Sequence, residues 1–455
     1  MTVCWNSSAP AVSSDARELY AADHPPDKML DPGIMNVREV TMNQMIIVGG
    51  GAAGMMCAIH ASKKYKVLLL EKNDKLGKKL FITGKGRCNL TNACDEDTFL
   101  KSVMSNPKFL YSAASAYPPA EVMKSFEDWG LQIKTERGNR VFPASDHSSD
   151  VIRTLEQEMK RCHVEVRLNA HVRSLLTGDS HQVTGVMLSD GTKLSSDVVV
   201  LATGGISYPG TGASGEGVEF LKKLGLSVRP FQPSLVPMVS DVSVCKPMMG
   251  LSLKNVEASF FCESRPKKPV YKEFGEMLFT HFGISGPIVL SASGKLQKYF
   301  TEDGTPKEKI GIRIDWKPAL SEEQLDQRIL RDFDAAKNKT LSNAVEGLLP
   351  RLAILPVLSA AGLDPEQRVH DVTQEERRRL TESLKVFRLP VLGLRGFDEA
   401  IISAGGLSVK EIDPRSMEVR SVPGLRVAGE MIDCDALTGG FNLQIAWCTA
   451  RLAAQ

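Results

Sequence analysis

The sequence predicts an α/β fold in which a nucleotide-binding domain is split by inserted segments, and three observations support this prediction. Met45–Val48 is a short apolar run typical of a buried parallel strand, and a glycine-rich turn and a helix-compatible stretch follow it. A second apolar run, Val67–Leu70, ends in Glu71, so that the pattern has the dimensions of a βαβ unit. Leu194–Leu201 and Leu425–Ala428 are two further strand-like runs far along the chain.

The length and composition are those of a globular protein with two or three domains. The 455 residues are 42% hydrophobic and 24% charged, which excludes a collagenous, disordered or heavily charged chain. Lys and Arg total 56 against 54 Asp and Glu, a formal net charge of +2. Because a nucleic-acid binder usually has a strong basic excess or a basic stripe, we expect a small-molecule substrate and no nucleic-acid partner.

The cysteines and the apolar runs bear on the cellular environment. Nine cysteines are scattered without a Cys-x-x-Cys pair or a Cys/His zinc pattern. We therefore expect reduced thiols, a cytoplasmic location and no metal site. The most apolar stretch, Met45–Ile59, is too short and too rich in glycine to span a membrane, so no membrane partner is expected.

Changes of sequence texture predict the domain organisation. Residues 1–44 lack both clear periodicity and a secretory signal, and we expect a flexible N-terminal tail there. Prolines punctuate the chain from about Arg229, and capping boxes at Ser321 and Thr373 are expected to open helices. The expected division is a nucleotide-binding domain (first part 45–228, second part 401–455), a β-rich domain (229–318, with a return at 385–400) and a helical domain (319–384).

The turn after the first strand carries a dinucleotide-binding pattern, Gly49-x-Gly51-x-x-Gly54. In a Rossmann-like fold the first glycine makes the tight turn, the second lets a pyrophosphate approach the backbone, and the third lets helix pack on strand. The N-terminus of the following helix offers N–H groups and a positive dipole end to the phosphates. Glu71, at the tip of the second strand, can accept the hydroxyls of an adenosine ribose.

This turn alone could bind either NAD or FAD, and the C-terminal part of the chain favours FAD. Leu425–Ala428 is followed by Gly429 and Glu430, with Asp433 nearby, and Gly440 then opens the last helix. A helix N-terminus aimed at the pyrimidine edge of an isoalloxazine would stabilise the negative charge that develops on reduction. Glu430 or Asp433 could bond the ribityl chain.

Several longer blocks extend the pattern from the first βαβ unit to the C-terminus. They are Leu76–Leu80, Thr83–Asn92 (TGKGRCNLTN), Gly138–Pro143, Ala202–Gly212 (ATGGISYPGTG), Leu278–Pro287, Gly405–Leu407 with Glu411–Ile412, and Gly429–Gln444. Together they resemble the bacterial BaiN-like NAD(P)/FAD-dependent oxidoreductases. The resemblance implies a Rossmann-like FAD-binding domain of the two-dinucleotide-binding flavoprotein type, with an inserted β-barrel and a small helical domain.

The resemblance also implies an activity. FAD is the expected cofactor, with NAD(P)H as a possible co-substrate. The leading hypothesis is NAD(P)H-driven hydride transfer to an unsaturated ketone or a similar small hydrophobic molecule, as in bile-acid reductases of this kind. The alternatives are an O2-using amine oxidase similar to aminoacetone oxidases and a non-enzymatic flavin-binding protein. Fold and family alone do not choose between these activities.

The resemblance places further residues at the cofactor. It implies that Lys78 and Lys79 lie near the phosphates, that Arg87 and Asn89 belong to a loop covering the flavin, and that the Val172 backbone contacts adenine. The complete expected FAD-binding set is Gly49, Gly51, Ala52, Ala53, Gly54, Glu71, Lys72, Lys78, Lys79, Gly86, Arg87, Asn89, Val172, Gly429, Glu430, Asp433, Gly440, Asn442 and Leu443.

Three residues are candidates for chemistry, although each has a simpler structural interpretation. His281 could be an acid or a substrate anchor, but a lone histidine among aromatic residues is more often structural. Cys88 could be a redox thiol, but it has no partner at Cys-x-x-Cys spacing. Tyr208 could protonate an enone carbon, and plain packing is the simpler interpretation. The sequence therefore assigns no catalytic acid or base.

Overall fold

The computed structural model describes residues 42–455, so the expected tail at residues 1–44 lies almost wholly outside the described residues. The strands are β1 (Gln44–Val48), β2 (Lys66–Leu70), β3 (Thr91–Asn92), β4 (Ile133–Glu136), β5 (Arg140–Pro143), β6 (Glu165–Arg167), β7 (Val172–Thr177), β8 (Val183–Leu188), β9 (Lys193–Ser195), β10 (Val198–Leu201), β11 (Val228–Ser234), β12 (Met238–Val239), β13 (Ser252–Cys262), β14 (Tyr271–Phe279), β15 (Gly283–Ser285), β16 (Ile310–Asp315), β17 (Phe387–Val391), β18 (Gly393–Leu394), β19 (Ile402–Leu407) and β20 (Leu425–Val427). The helices are α1 (Ala52–Ala61), α2 (Lys78–Ile82), α3 (Glu96–Ser102), α4 (Tyr111–Ala116), α5 (Pro119–Asp128), α6 (Ser148–Arg161), α7 (Glu216–Lys223), α8 (Val242–Cys245), α9 (Pro287–Lys295), α10 (Glu322–Ala335), α11 (Leu341–Ala344), α12 (Arg351–Ala360), α13 (Gln374–Lys385) and α14 (Phe441–Ala453).

A parallel sheet forms the centre of the first core, in the order β20-β10-β1-β2-β6. Its middle strand reads as a continuous apolar run because both faces are covered, and Met45, Ile46 and Ile47 are fully buried. Helices α1 and α14 pack against each other beside this sheet. All five strands point the same way, so their carboxyl ends meet at one edge, where open α/β sheets bind ligands.

The apolar run Leu194–Leu201, expected to be one strand, is two strands in different sheets. Its first part, β9, pairs with β8 in a separate antiparallel sheet, and its second part, β10, joins the parallel sheet beside β1. Ser196 interrupts the run, because its hydroxyl donates to the Val198 carbonyl at 2.6 Å and accepts from the Ile46 N–H at 3.1 Å. This side chain therefore competes with the regular strand ladder at that point.

The second sheet is antiparallel and closes on itself. Its strand order is β17-β16-β13-β14-β15-β12-β18, and its two end strands are consecutive in sequence, separated by Leu392 alone. The Leu392 N–H donates to the Val239 carbonyl at 2.9 Å, which completes the ring of strands. This is the inserted barrel that the resemblance implied.

In the segment between β16 and β17, two helices begin at the residues expected from the sequence. Ser321 and Thr373 each cap a helix through a reciprocal capping box, with Gln324 and Glu376 as the partners at the third position. These helices share one apolar core with the barrel, while the parallel sheet has a core of its own. The domain limits given above stay predictions. Among residues 42–455, no helix is both long and apolar enough to cross a membrane.

Candidate functional site

A cavity of about 350 Å³ opens at the carboxyl edge of the parallel sheet. The ends of β1, β2, β10 and β20 contribute Val48, Leu70, Ala202 and Ala428 to its wall, and the start of α14 contributes Asn442. β11 and β19 pair as a two-stranded antiparallel ribbon, and Leu235 and Ile401–Ser403 at its end also line the cavity. The cavity is therefore bounded by residues from both segments of the split domain.

The glycines of the first turn have the three separate roles that their spacing predicts. A Cβ on Gly49, whose φ is +108°, would lie 2.5 Å from the Ala202 carbonyl oxygen, and a Cβ on Gly54 would lie 1.8 Å from the Gly49 oxygen. A Cβ on Gly51, in contrast, would meet no atom of the described residues within 4 Å, and Gly51 lines the cavity. The open face of this turn suits a group that packs directly on the backbone, such as a pyrophosphate.

Two helices begin at this cavity without a side-chain cap. Helix α1 follows Gly51 and helix α14 follows Gly440, and no side chain in residues 42–455 caps either of them. Their first N–H groups and positive dipole ends are therefore available to an anionic or electron-accepting ligand. Gly440 has φ of +98°, and a Cβ there would lie 2.3 Å from the Thr91 carbonyl oxygen, so only glycine fits.

Glu71 lies at the tip of β2 and is 8% exposed. One carboxylate oxygen accepts from the Gly50 N–H at 2.7 Å, and the other accepts from the Asn73 backbone and side-chain amides at 2.8 and 2.7 Å. A carboxylate has about four acceptor positions. The fixed orientation leaves capacity for a ribose hydroxyl, as the sequence predicts for this position.

Polar side chains surround the cavity beyond Glu71. Lys72 Nζ lies 2.6 Å from Ser214 Oγ and 3.1 Å from Glu216 Oε2, and His171 Nε2 lies 3.0 Å from the same carboxylate oxygen. Val172, 4% exposed, lies beside this group at the start of β7. These contacts connect the first strand–helix–strand unit to α7.

Lys79 and Glu430 form an ion pair within the cavity lining. Lys79 Nζ lies 2.7 Å from Glu430 Oε2 and 2.6 Å from Ser207 Oγ. Glu430 Oε1 also accepts from the Ser403 N–H at 2.7 Å. The Ser207 hydroxyl donates to the same Oε1 at 3.2 Å, so three remote chain segments are fixed to one carboxylate. Lys78, which also lines the cavity, pairs with Asp74 at 2.8 Å.

The start of α14 is held by two asparagines. Asn442 binds the preceding loop, since its side chain accepts from the Ala436 N–H at 2.9 Å and donates to the Ala436 carbonyl at 2.8 Å. Asn89, with its amide oxygen towards Gly440, accepts from the Gly440 N–H at 3.0 Å. Both line the cavity, and both have amides engaged with backbone, so their main effect in this geometry is to position the helix.

Of the expected FAD-binding residues, four do not line the cavity. They are Gly54, which packs α1 on the turn, and Gly86, Arg87 and Asp433. The Arg87 guanidinium forms ion pairs with Glu136 and Asp146 instead, and these pairs raise its pKa. Asp433 pairs with Arg229 at 3.3 Å. The remaining members of the set all line the cavity.

The three candidates for chemistry lie outside the lining. Cys88 is fully buried, and burial raises its pKa to about 12, so it is a packed thiol and not a reactive one. Tyr208 is half-buried with φ of +54°, and burial raises its pKa. His281 is exposed and packs edge-on against Phe282. None of them reaches the cavity.

Sequence reasoning missed other lining residues. Some of them belong to motif blocks or follow them directly: Thr203–Gly205 and Thr211–Ser214 lie in the Ala202–Gly212 block or just after it, and Thr438 precedes the last helix. The positions of these motif blocks could therefore have located these residues. Leu235 and Ile401–Ser403 carry no motif and come to the cavity through pairing of β11 with β19. Only the fold could reveal them.

A family profile described as "HI0933-like protein Rossmann domain" matches residues 43–455. The chain belongs to this family. It is 28% identical over 415 residues to the 3-dehydro-bile acid delta(4,6)-reductase of Clostridium scindens, covering 90% of this chain and 98% of the relative. It is 30% identical over 412 residues to the ribosomal RNA dihydrouridine synthase of Escherichia coli, covering 90% and 96%. The protein of the same name in Haemophilus influenzae is 26% identical over 416 residues, covering 90% and 98%.

These comparisons confirm the predicted family and the α/β Rossmann-type fold, and the protein is a flavin-dependent oxidoreductase with FAD as its cofactor. They also correct one expectation. The exclusion of nucleic acid was wrong, because two of these relatives are named for action on ribosomal RNA. A net charge near zero reports a sum over the whole surface, and an enzyme that acts on one base does not need a global basic excess.

Proposed function

We propose that the cavity holds FAD in an extended conformation. The open face of Gly51 would take the pyrophosphate, Glu71 the adenosine ribose, and the start of α14 the pyrimidine edge of the flavin. The supporting observation is the coincidence, in one cleft, of a backbone turn with room above it, an oriented carboxylate and two uncapped helix starts. Arg87 and Asp433 have no part in this arrangement, since both are paired elsewhere.

The proposed reaction is the reduction of a carbon–carbon double bond conjugated to a carbonyl group. The names of two relatives support this reaction. The bile acid reductase is named for delta(4,6) double bonds beside a 3-oxo group, and the dihydrouridine synthase is named for the product of reducing the ring double bond of uridine; both double bonds are conjugated to a carbonyl group. Reduced FAD would supply a hydride to the carbon β to that carbonyl, and NAD(P)H is the proposed source of the reducing electrons.

The chain's own contribution is to orient a planar ring and to exclude water. Leu235 and Ile401, beside the β11–β19 pairing, and Leu437, before α14, are apolar residues of the cavity lining. An apolar wall of this kind suits the flat face of a conjugated ring, and it keeps bulk water from the reacting carbons. Lys79 and Glu430 hold the segments of Ser207 and Ser403 in place next to Ile401.

The test is anaerobic reoxidation of the reduced protein. Purified protein is reduced with one equivalent of NADH or NADPH, and recovery of the flavin band at roughly 450 nm is followed after mixing with an acceptor. The acceptors are a 3-oxo-Δ4 steroid and a uridine-containing RNA oligonucleotide, with a saturated 3-oxo steroid and dihydrouridine RNA as matched controls. Fast recovery with one unsaturated acceptor and not with its saturated control is the expected result.

The assay also separates the amine-oxidase alternative. Peroxide formed from aminoacetone and O2, without consumption of NAD(P)H and without reaction with either unsaturated acceptor, would overturn the proposal in favour of an oxidase. A flavin that no donor reduces would overturn it in favour of a non-enzymatic flavin-binding protein.

A further inference from the structure

The outward face of the barrel carries three basic side chains in one row across four strands. Ser259 of β13 is paired in register with Lys272 of β14 on one side and with Arg313 of β16 on the other. Arg313 is paired in turn with Arg388 of β17. Residues directly opposite each other on neighbouring strands project from the same face of a sheet, so these four residues form a continuous line, which we call the outer row.

The outer row faces away from the core of the barrel. The next residues on three of the same strands, Phe260, Ile312 and Leu389, are at most 3% exposed and fill the interior. Arg388, in contrast, is exposed, and Arg313 is partly exposed. Because successive side chains of a strand point to opposite faces, this alternation places the basic groups on the surface of the protein.

The charges of Arg313 and Arg388 are not balanced by the residues around them. Two like charges directly opposite each other on neighbouring strands destabilise a sheet. The acids of the next outward row are engaged elsewhere, since Glu257 pairs with Lys272 at 2.7 Å and Asp315 pairs at 2.6 Å with the lysine at the end of α13. Within residues 42–455, no carboxylate forms an ion pair with either guanidinium group. The surface therefore holds two adjacent guanidinium groups that are available to an external anion.

Two aromatic rings lie on the same outward face. The Arg313 Cζ atom is 3.8 Å from the centre of the Phe261 ring, so this guanidinium group is held flat over an aromatic face. Phe274, two positions from Lys272 on β14, is 54% exposed. Surfaces that bind single-stranded nucleic acid combine basic groups for the phosphates with aromatic rings on which bases stack. A partner with negative charge alone would leave the exposed ring unused.

We propose that the outer row and its two aromatic neighbours form a docking surface for a single-stranded RNA acceptor. The proposal rests on the proposed function, and it selects a polynucleotide over a free small molecule as the class of substrate. Phosphate groups bind Arg313 and Arg388, and an unpaired base stacks on Phe274. The barrel adjoins the cavity along the chain, because Leu235 of the cavity lining lies three positions before β12, and the strand is expected to run from the reacting base onto the barrel.

The binding test uses the oxidised, FAD-loaded protein, so it requires no turnover. Fluorescence anisotropy gives the Kd of a labelled, uridine-containing single-stranded RNA oligonucleotide at several salt concentrations. Arg313→Gln with Arg388→Gln is expected to weaken binding about tenfold at low salt. It should also lower the slope of log Kd against log salt concentration by about 1.4, since each phosphate contact to a single strand contributes about 0.7. Phe274→Ala should weaken binding about fivefold with the slope unchanged, because the ring carries no charge.

Two matched double variants are the controls. Lys66→Gln with Lys193→Gln removes the same amount of charge at exposed positions of β2 and β9, and its Kd and slope should match those of the wild type. Arg313→Lys with Arg388→Lys keeps the charge of the outer row, and it should keep the salt slope. Thermal unfolding of each variant checks that it is folded.

The docking surface is wrong if the wild-type protein does not bind the oligonucleotide, or if the two glutamine double variants bind it equally well. Inorganic polyphosphate is the competing probe. If it binds through the two arginines as tightly as RNA, and Phe274→Ala binds RNA like the wild type, the surface takes any polyanion and the assignment to RNA is overturned.

The reoxidation assay tests the proposed function separately. Fast reoxidation by the steroid and not by the RNA would overturn the choice of a polynucleotide as substrate. If RNA binds through the outer row and neither acceptor reoxidises the reduced protein, the docking surface stands and the proposed reaction fails.

Discussion

Lys79 and Glu430 are 351 positions apart in sequence, and their side chains meet at 2.7 Å inside the cavity. Lys79 is on α2, just after the first strand–helix–strand unit, and Glu430 follows β20 near the C-terminus. The two side chains are 24% and 21% exposed, so this pair is shielded from solvent more than an ordinary surface salt bridge. It connects the two segments of the split domain at the site where we propose that FAD binds.

This relationship predicts non-additive effects on stability. Glu430→Gln should lower the free energy of unfolding of the apo protein by about 1–3 kcal/mol, because an amide group would replace one of the oxygens that accept from Lys79 and Ser403. Lys79→Met should cost less, and the double variant should cost less than the sum of the single changes by about 1 kcal/mol. Urea denaturation of the four proteins measures this, and additive changes would show that the pair contributes nothing.

The glycine turn predicts two different consequences of adding one methyl group. Gly51→Ala should leave the apo protein as stable as wild type, because the new Cβ has open space and φ is −83°, yet it should weaken FAD binding at least tenfold. Gly54→Ala should destabilise the apo protein itself, by several kcal/mol in order of magnitude, because its Cβ would overlap the Gly49 carbonyl oxygen.

Thermal unfolding of both apo variants and fluorescence titration with FAD measure these two effects. The proposed pyrophosphate position is wrong if Gly51→Ala binds FAD with wild-type affinity. Removal of FAD from the wild type should lower its Tm, since a ligand bound to the folded state alone stabilises that state, and the same removal should change Gly51→Ala little.

The parts of the site that could be predicted from sequence are those whose physical reasons are local. Gly49, Gly51, Gly54 and Glu71 lie in one strand–turn–helix–strand unit, where backbone geometry alone fixes what each position must do. The start of α14 was predictable for the same reason, since a glycine pair before an apolar helix marks a helix N-terminus.

The rest depends on contacts between remote segments, which no local pattern encodes. Arg87 was expected at the cofactor, but it pairs with Glu136 and Asp146, 49 and 59 positions further along the chain. Leu235 reaches the cavity because β11 pairs with β19, and this pairing has a register shift within it. A pattern search cannot choose between competing charge partners or place a residue that has no motif.

Because of the buried carboxyl group of Asp435, we expect the folded protein to become less stable as the pH rises. It is 2% exposed, one oxygen lies 3.2 Å from Ser234 Oγ, and the other has no hydrogen-bond partner among residues 42–455. Burial raises the pKa of this carboxyl in the folded protein. Between its ordinary pKa, near 4, and the raised value, the folded state holds a proton that the unfolded state has lost, so raising the pH costs stability in that window.

Asp435→Asn keeps the shape of the side chain and cannot ionise. The Tm of this variant minus that of the wild type should therefore increase between pH 4 and pH 8. Asp179→Asn, at an exposed loop position, is the matched control and should show no such trend. A flat Tm difference for Asp435→Asn over this range would show that Asp435 does not titrate within it.

For His60 we expect the opposite dependence, a folded protein that becomes less stable as the pH falls. It lies near the end of α1, with its ring edge-on to Tyr117 at 5.2 Å, and its Nε2 has no hydrogen-bond partner within the described residues. Burial, reinforced by the charges of Arg451 and Lys63, lowers its pKa to about 3. Below the ordinary pKa of about 6.5 the unfolded chain binds a proton that the folded protein does not, so stability is present above pH 6.5 and is lost as the pH falls.

Each pH unit in this window costs about 1.4 kcal/mol, so His60 should remove about 2 kcal/mol of unfolding free energy between pH 6.5 and pH 5. His60→Phe can keep the edge-on contact with Tyr117 and has no proton to bind. Between pH 7 and pH 5, its unfolding free energy in urea should fall by about 2 kcal/mol less than that of the wild type. His181→Gln, in an exposed loop, should follow the wild type. Equal losses in wild type and His60→Phe would mean that the His60 ring is protonated in the folded protein as readily as in the unfolded chain, and that burial at the end of α1 does not exclude its charge.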